Sequence, residues 1–206
     1  MSQAPALRDL ARRLLPEGFG IAVLDLADEP APLLPAEAAG LARAVPKRQR
    51  EFAAGRQALR LALARAGHLI PPDRPIAALP DRRPDLPRHV LASLSHAGGF
   101  CIAIASPPGG PSIGVDLEPA HRPLPEGLAE AVAPYRACPD RPLLAFCAKE
   151  AMFKAQYPLT GRMLDFREVP AVIRGDRVRA CMGRRMIGAR WAEAAGYLLA
   201  ISLWNG

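Results

Sequence analysis

Apolar residues near the start of the chain recur at helical spacing, predicting a short amphipathic helix over Ala6 to Leu15. Gly20 to Leu26, Gly-Ile-Ala-Val-Leu-Asp-Leu, has the length and content of a strand. From Ala36 to Ala66 the pattern is helical, interrupted or kinked near Pro46, and Gly67 supplies the residue just past its end. Phe52, Leu59, Leu63 and Ala66 form the buried stripe of that helix, and Arg56 lies on the edge of the stripe. Val90 to Ser95 and Phe100 to Ala105 read as two strands around a Gly98-Gly99 turn, followed by a strand over Ser112 to Glu118. A second helix covers Leu143 to Gln156, with Leu144, Ala148, Ala151 and Ala155 as its inward stripe. Strands over Val169 to Ile173, Arg177 to Met182, Met186 to Glu193 and Tyr197 to Trp204 complete the chain. Two segments lack a period: the Pro/Arg-rich stretch Pro71 to Pro87, read as an exposed loop, and Pro119 to Arg141, read as a mobile loop.

This order of elements predicts an α+β fold. Residues 1–105 and 106–206 have related contents, strands and a long helix in each, which suggests two halves with a cleft between them.

With 206 residues, half of them apolar, the chain can bury a substantial core. No apolar run has the length of a membrane span, and the first fifteen residues lack a secretory signal, so a cytoplasmic monomer is expected. Cys101, Cys138, Cys147 and Cys181 show no C-x-x-C spacing and read as buried thiols rather than zinc ligands or disulfides. The four histidines are scattered, which argues against a histidine metal site. A net charge of +7 favours an anionic partner. Nucleic acid is disfavoured, because aromatics make up only 5% of the chain and none alternates with basic residues as a base-stacking surface requires.

Candidate chemistry is concentrated in two short stretches. In Ile113-Gly114-Val115-Asp116-Leu117-Glu118, strand alternation puts Asp116 and Glu118 on one face while Val115 and Leu117 point into the core. In Ala148-Lys149-Glu150-Ala151-Met152-Phe153-Lys154, Glu150 and Lys154 are one helical turn apart. If helix and strand pack together, three carboxylates converge beside an ammonium, a donor set suited to Mg²⁺ completed by substrate phosphates. The bland alternative is an ordinary solvated Glu-Lys helix pair. Lys47, Lys149 and Lys154 are the only lysines in an arginine-rich chain, and two fall in this heptapeptide. Lys149 points away from the apolar stripe, which favours Glu150 and Lys154 as site residues.

Arg48-x-x-Glu51-Phe52-x-x-Gly55-Arg56, Ser93-Leu94-Ser95-His96, Gly114-Val115-Asp116-Leu117-Glu118 and Phe146-x-Ala148-Lys149-Glu150-x-x-Phe153-Lys154-Ala155 occur in this order. Together they resemble the 4′-phosphopantetheinyl transferase superfamily, in its surfactin-type and enterobactin-type branch. The resemblance covers about Leu33 to Phe166. It implies two pseudo-symmetric α+β halves, each a small antiparallel sheet packed on a long helix, with coenzyme A bound in the cleft between them. The implied reaction moves 4′-phosphopantetheine to a serine of an apo carrier protein of peptide, polyketide or siderophore synthesis, releasing adenosine 3′,5′-bisphosphate. Matched by motif, Asp116, Glu118 and Glu150 hold Mg²⁺, with Mn²⁺ the alternative ion, and Lys154 contacts phosphate. Arg56, Arg83, Ser95 and His96 match positions that hold coenzyme A phosphates, with Arg48 a weaker addition. Glu150 or a metal-bound water is the candidate base. Leu86 and Ala151 depart from the family pattern without removing a ligand, while Pro119 to Pro142 lacks the acidic segment of many relatives. That departure motivates an alternative, a catalytically weak coenzyme A or carrier-protein binding module.

Overall fold

The computed structural model describes residues 3–41, 43–137 and 139–206. Helix α1 (Ala4–Leu14) buries Leu7, Leu10, Ala11 and Leu14, the i, i+3, i+4, i+7 set of an amphipathic helix. Strand β1 (Gly20–Asp25) follows. The interrupted helix of the sequence pattern resolves into a one-turn α2 (Pro35–Ala38), a 3₁₀ turn (Ala39–Leu41) and the long α3 (Pro46–Arg65). Pro46 starts α3 because its missing N–H is one of the unpaired donors of a first turn, and Gly67 ends it at φ +87°. Next come β2 (Ala92–Ala97), β3 (Phe100–Ala105) and β4 (Ser112–Pro119). Then come a short α4 (Leu128–Val132), β5 (Tyr135–Arg136) and α5 (Pro142–Thr160). The chain ends with β6 (Ala171–Arg174), β7 (Arg177–Met182), β8 (Arg185–Ala194) and β9 (Tyr197–Trp204).

Strands β1-β3-β2 form a three-stranded antiparallel sheet, and β4-β9-β8-β7-β6-β5 a larger one in which only the β5–β6 pair is parallel. In β3 the small residues Cys101, Ala103 and Ala105 face α3, while Phe100, Ile102 and Ile104 face α1 and the strands β4 and β9. Strand β9 repeats the division: Leu198, Ala200 and Trp204 pack with α5, and Tyr197, Leu199 and Ile201 with α1. Each long helix thus packs on one face of its sheet, and α1 closes a shared core over both sheets.

Glycine sets how closely each helix lies on its sheet. A Cβ on Gly20 would sit 1.8 Å from Ala62 O and 2.6 Å from Ala66 N, and one on Gly114 would sit 1.9 Å from Ala151 O and 2.6 Å from Ala155 N. The two contacts correspond under a shift of 94 positions in the strand and 89 in the helix. The same shifts relate Arg65, which donates to Ile21 O at 2.5 Å, to Lys154, which donates to Val115 O at 3.2 Å. The halves are therefore pseudo-symmetric down to individual hydrogen bonds, a repeat invisible in residue identity.

Both segments read as loops contain structure. In the first, Ile76 is fully buried, Ala78 pairs with Pro84, and Glu37 anchors the segment by accepting from Ile76 N at 2.7 Å. In the second, Leu128 and Val132 of α4 reach the core under α5. Cys101 and Cys147 are buried free thiols as expected, Cys181 is exposed on β7, and Cys138 lies outside the described residues. No helix among the described residues is long and apolar enough to cross a membrane.

Candidate active site

The carboxylate strand β4 is an edge strand, so every second backbone N–H faces away from β9 and needs a partner. Serine hydroxyls of β2 supply it. Val115 N donates to Ser93 Oγ at 3.0 Å and Leu117 N to Ser95 Oγ at 3.3 Å. The two sheets thus meet along β2 and β4 with side-chain oxygens in place of a backbone ladder. Ser95 then donates its own proton to Asp116 Oδ1 at 2.9 Å, so this hydroxyl lies in the seam between the halves.

Helix α5 completes the cluster. Its close approach at Gly114 lets Lys154 donate from Nζ to Asp116 Oδ1 at 2.6 Å and to Val115 O at 3.2 Å. Burial is the largest single influence on Lys154 and opposes its ammonium, but the charge and hydrogen bond of Asp116 together with the charge of Glu150 and the nearby Cys147 thiol outweigh it, and the pKa is raised. Asp116 is 5% exposed, and its Oδ2 is buried without any hydrogen-bond partner. Burial raises the pKa of Glu150, with Asp116 adding to the rise and Lys154 opposing it. Burial also raises that of Glu118, followed by repulsion from Asp116, while Arg122 and Lys154 oppose the shift. Arg122 Nε lies 2.9 Å from Glu118 Oε2, an ion pair by distance without an aligned hydrogen bond. The three carboxylates sense one another electrostatically, yet among the described residues no three acidic, histidine or cysteine side chains already share a metal vertex.

Arg48, Arg56, Arg83, His96, Glu150 and Lys154 line a cleft of about 1360 Å³ between α3, the 77–91 segment and α5. Asp116, Glu118 and Ser95 do not line its wall. Arg56, 5% exposed, lies with its guanidinium carbon 3.9 Å above the Phe52 ring and reaches Ala77 O at 3.4 Å. Its Nε is buried without a partner, and burial lowers its pKa to about 10 despite the field of Glu37. This cleft-lining guanidinium therefore keeps a donor that nothing in the protein satisfies. Arg48 Nη1 donates to His96 Nε2 at 3.2 Å, and Glu51 lies within 4.0 Å of both. Arg83 pairs with Asp81 at 2.8 Å and sits 5.1 Å over the Tyr157 ring of α5, touching both walls.

Three contributors escape the sequence reading. Ser93 stitches the seam beside Ser95. Glu37, 3% exposed, accepts from Arg60 at 2.6 Å, Ile76 N and Leu34 N, and so fixes the wall that carries Arg83. Lys149, which lies off the apolar stripe, is nevertheless buried: it is 1% exposed and donates to Val132 O and Phe166 O at 2.7 Å and to Pro134 O at 3.4 Å. All three ammonium donors are used, so Lys149 ties α4 and the 166–168 turn to α5, and burial lowers its pKa to about 8.

Residues 35–106 match the 4′-phosphopantetheinyl transferase N-terminal domain, and residues 112–201 match the 4′-phosphopantetheinyl transferase superfamily. The chain is 39% identical over 206 residues to the 4′-phosphopantetheinyl transferase Svp of Streptomyces mobaraensis, covering 86% of this chain and 81% of that one. It is 40% identical over 167 residues to the transferase Npt of Nocardia iowensis, covering 75% and 72%. The transferase PptT of Mycobacterium tuberculosis is 36% identical over 146 residues, covering 66% and 63%.

The chain belongs to the 4′-phosphopantetheinyl transferase superfamily. In this phosphopantetheinyl transferase the two halves differ at the positions equivalent to the carboxylates. Under the shifts that superpose Gly20 on Gly114 and Ala62 on Ala151, Asp116 corresponds to Ala22, Glu118 to Leu24 and Glu150 to Leu61. The first half keeps the scaffold and a cation at the Lys154 position but has no carboxylate at these three positions.

Proposed function

We propose that this phosphopantetheinyl transferase binds coenzyme A in the cleft and moves its 4′-phosphopantetheine group to a serine of an apo carrier protein of peptide, polyketide or siderophore synthesis. In this reading residues 1–105 hold the nucleotide phosphates through Arg48, Arg56, Arg83 and His96, and residues 106–206 carry the transfer chemistry. The observation that carries it is one cleft lined on one side by Arg48, Arg56 and Arg83 and on the other by Glu150 and Lys154, with Asp116, whose Oδ2 is a buried acceptor without a partner, bonded to Lys154 behind that wall.

The unpartnered Asp116 Oδ2, beside two carboxylates that repel it, fits a divalent cation. Asp116, Glu118 and Glu150 would hold Mg²⁺, which would neutralise charge on the pyrophosphate. Lys154, oriented by Asp116 and Val115 O, is set to stabilise negative charge on the phosphoryl oxygens. Ser95 keeps Asp116 in its rotamer, an indirect role in the same site. Glu150, whose proton affinity is raised by burial and by Asp116, takes the proton of the attacking serine hydroxyl. Attack at phosphorus then expels adenosine 3′,5′-bisphosphate, whose charge the arginines of the first half hold. Incubation with coenzyme A, Mg²⁺ and a set of apo carrier domains should add one phosphopantetheine mass to a carrier serine. Well-folded enzyme that modifies no carrier in the set sinks the proposal.

The raised pKa values of Glu118 and Glu150 also predict how the ion and pH act together. A carboxylate with a higher pKa in the folded state stabilises that state fully below its unfolded value of 4.5, and this stability is lost as pH rises through the folded pKa. Near neutral pH the two charges therefore destabilise the metal-free protein, and saturating Mg²⁺ should raise Tm by about 3–8 °C. Around pH 4.5 the gain should be much smaller, because protons already occupy the site. Equal gains at both pH values, in calorimetry or circular dichroism, would rule out these carboxylates as the binding site.

A further inference from the structure

The strands farthest from the carboxylate cluster form a second concavity, of about 720 Å³, that shares no lining residue with the active cleft. It lies on the outer face of β5 to β8, while β4 is at the opposite edge of the same sheet. Four steps separate β4 from β6, roughly 19 Å at the usual strand spacing. Alternation in β6 and β7 sends Ala171, Ile173, Val178 and Ala180 into the core and leaves Val172, Arg174, Arg177 and Arg179 on this face.

The register makes the arrangement specific. Arg174 is directly opposite Arg177, and Arg177 is directly opposite Arg190. Two pairs further along, on the same face, Val172 lies between Arg136 and Arg179. Like charges opposed across strands destabilise a sheet. Asp176 answers only part of this charge: it pairs with Arg190 at 2.9 Å and lies 3.9 Å from Arg177. Among the described residues the side chains of Arg136, Arg174 and Arg179 make no hydrogen bond or ion pair, and no carboxylate lines the concavity. The exposed apolar side chains of the concavity are Val172, 39% exposed, within the second arginine row, and Met186, 57% exposed, opposite Cys181 just beyond that row.

We propose that this groove docks an acidic, amphipathic polypeptide segment of a protein partner. The two arginine rows are two residues apart along the strands, about 7 Å. Carboxylates four residues apart on a helix have a similar spacing of about 6 Å, and apolar side chains beside them on the same helix face can lie over Val172 and Met186. A nucleic acid is a poorer occupant, since Tyr135 is the single aromatic of the lining and its hydroxyl is bonded to Asp140. A membrane is poorer too, because the exposed apolar side chains line a hollow rather than forming a protruding face.

The proposal goes beyond the transfer reaction, and its test reads binding separately from turnover. The probe is a labelled helical peptide of glutamate, leucine and alanine with glutamates four residues apart, followed by fluorescence anisotropy at low salt with coenzyme A at saturation. Binding is expected in the presence of coenzyme A, which keeps the basic cleft occupied. Arg174→Glu/Arg177→Glu/Arg179→Glu should weaken it by roughly 30-fold or more while leaving turnover on an isolated carrier domain unchanged. A peptide with serine for leucine should bind about tenfold more weakly. If the triple variant does not fold, Arg174→Gln/Arg179→Gln replaces it, with a smaller loss expected. Absence of binding, unchanged affinity in the folded variants, equal affinity for the serine peptide, or tighter binding of a single-stranded oligonucleotide or anionic vesicles under the same conditions overturns the proposal.

Discussion

Asp116→Asn is expected to lower phosphopantetheine transfer by roughly 10³-fold or more while leaving the fold intact. Asp116 is the shared element of the site: Oδ1 receives both Ser95 and Lys154, and Oδ2 is the buried acceptor without a partner. An asparagine oxygen still accepts from Ser95 and Lys154, so the packing survives. What disappears is the charge, and with it the ionic partner of Lys154 and the acceptor that the proposed function gives to a divalent ion. Stability changes little because two effects oppose each other. The Lys154 ion pair weakens, but Glu118 and Glu150 are relieved of the repulsion that Asp116 contributes to their raised pKa values. The net shift should stay within about 1–2 kcal/mol, which is a few degrees in Tm for a chain of this size. Carrier modification followed by mass spectrometry, with a thermal melt of the same sample, checks both halves of the expectation. An asparagine variant that keeps more than about a tenth of wild-type turnover would remove Asp116 from the centre of the chemistry.

The site was legible in sequence where it depends on local periodicity and obscure where it depends on contacts between distant segments. Alternation in Ser112 to Glu118 and helical spacing in Leu143 to Gln156 correctly give the faces of Asp116, Glu150 and Lys154, because each side chain's direction follows from its own element. Ser95 stands out as a motif residue, but its bond to Asp116 joins residues 21 positions apart across two sheets. Lys149 shows the limit most clearly. A lysine off the apolar stripe reads as solvated, yet the carbonyls of Val132, Pro134 and Phe166, all outside regular strand pairing or at the end of a one-turn helix, make a buried ammonium acceptable. Glu37 is the acidic counterpart, buried because Arg60 and two backbone donors converge on it. Helix α4 has five residues, too few to show a period. The internal repeat is hidden for a related reason: what the halves share is backbone proximity, which constrains glycine and small residues and leaves the other identities free.

That proximity yields the second large effect. Gly114→Ala should destabilise the protein by at least about 3 kcal/mol, lowering Tm by roughly 6–12 °C, and should also reduce turnover of the molecules that remain folded. The added methyl meets Ala151 O at 1.9 Å, Ala155 N at 2.6 Å and Ala151 C at 3.0 Å, all backbone atoms of α5 that no rotamer change can move. Helix α5 must shift away from β4, and the shift separates Glu150 and Lys154 from Asp116. Gly20→Ala meets the same obstacle in α3, with Ala62 O at 1.8 Å, but α3 carries none of the carboxylates. Its stability loss should match that of Gly114→Ala while the Asp116–Lys154 contact and the turnover per folded molecule are largely retained. Gly55→Ala is the control on glycine itself: the new methyl meets only Leu94 Cδ1, at 3.6 Å, an ordinary contact inside a helix. There alanine's better helix propensity should stabilise the protein by up to about 1 kcal/mol. Melts and single-turnover rates of the three variants separate the scaffold shared by both halves from the chemistry kept in one. A Gly114→Ala protein with native Tm and native turnover would contradict the claim that the strand glycine sets the distance between the carboxylate strand and the helix bearing Glu150 and Lys154.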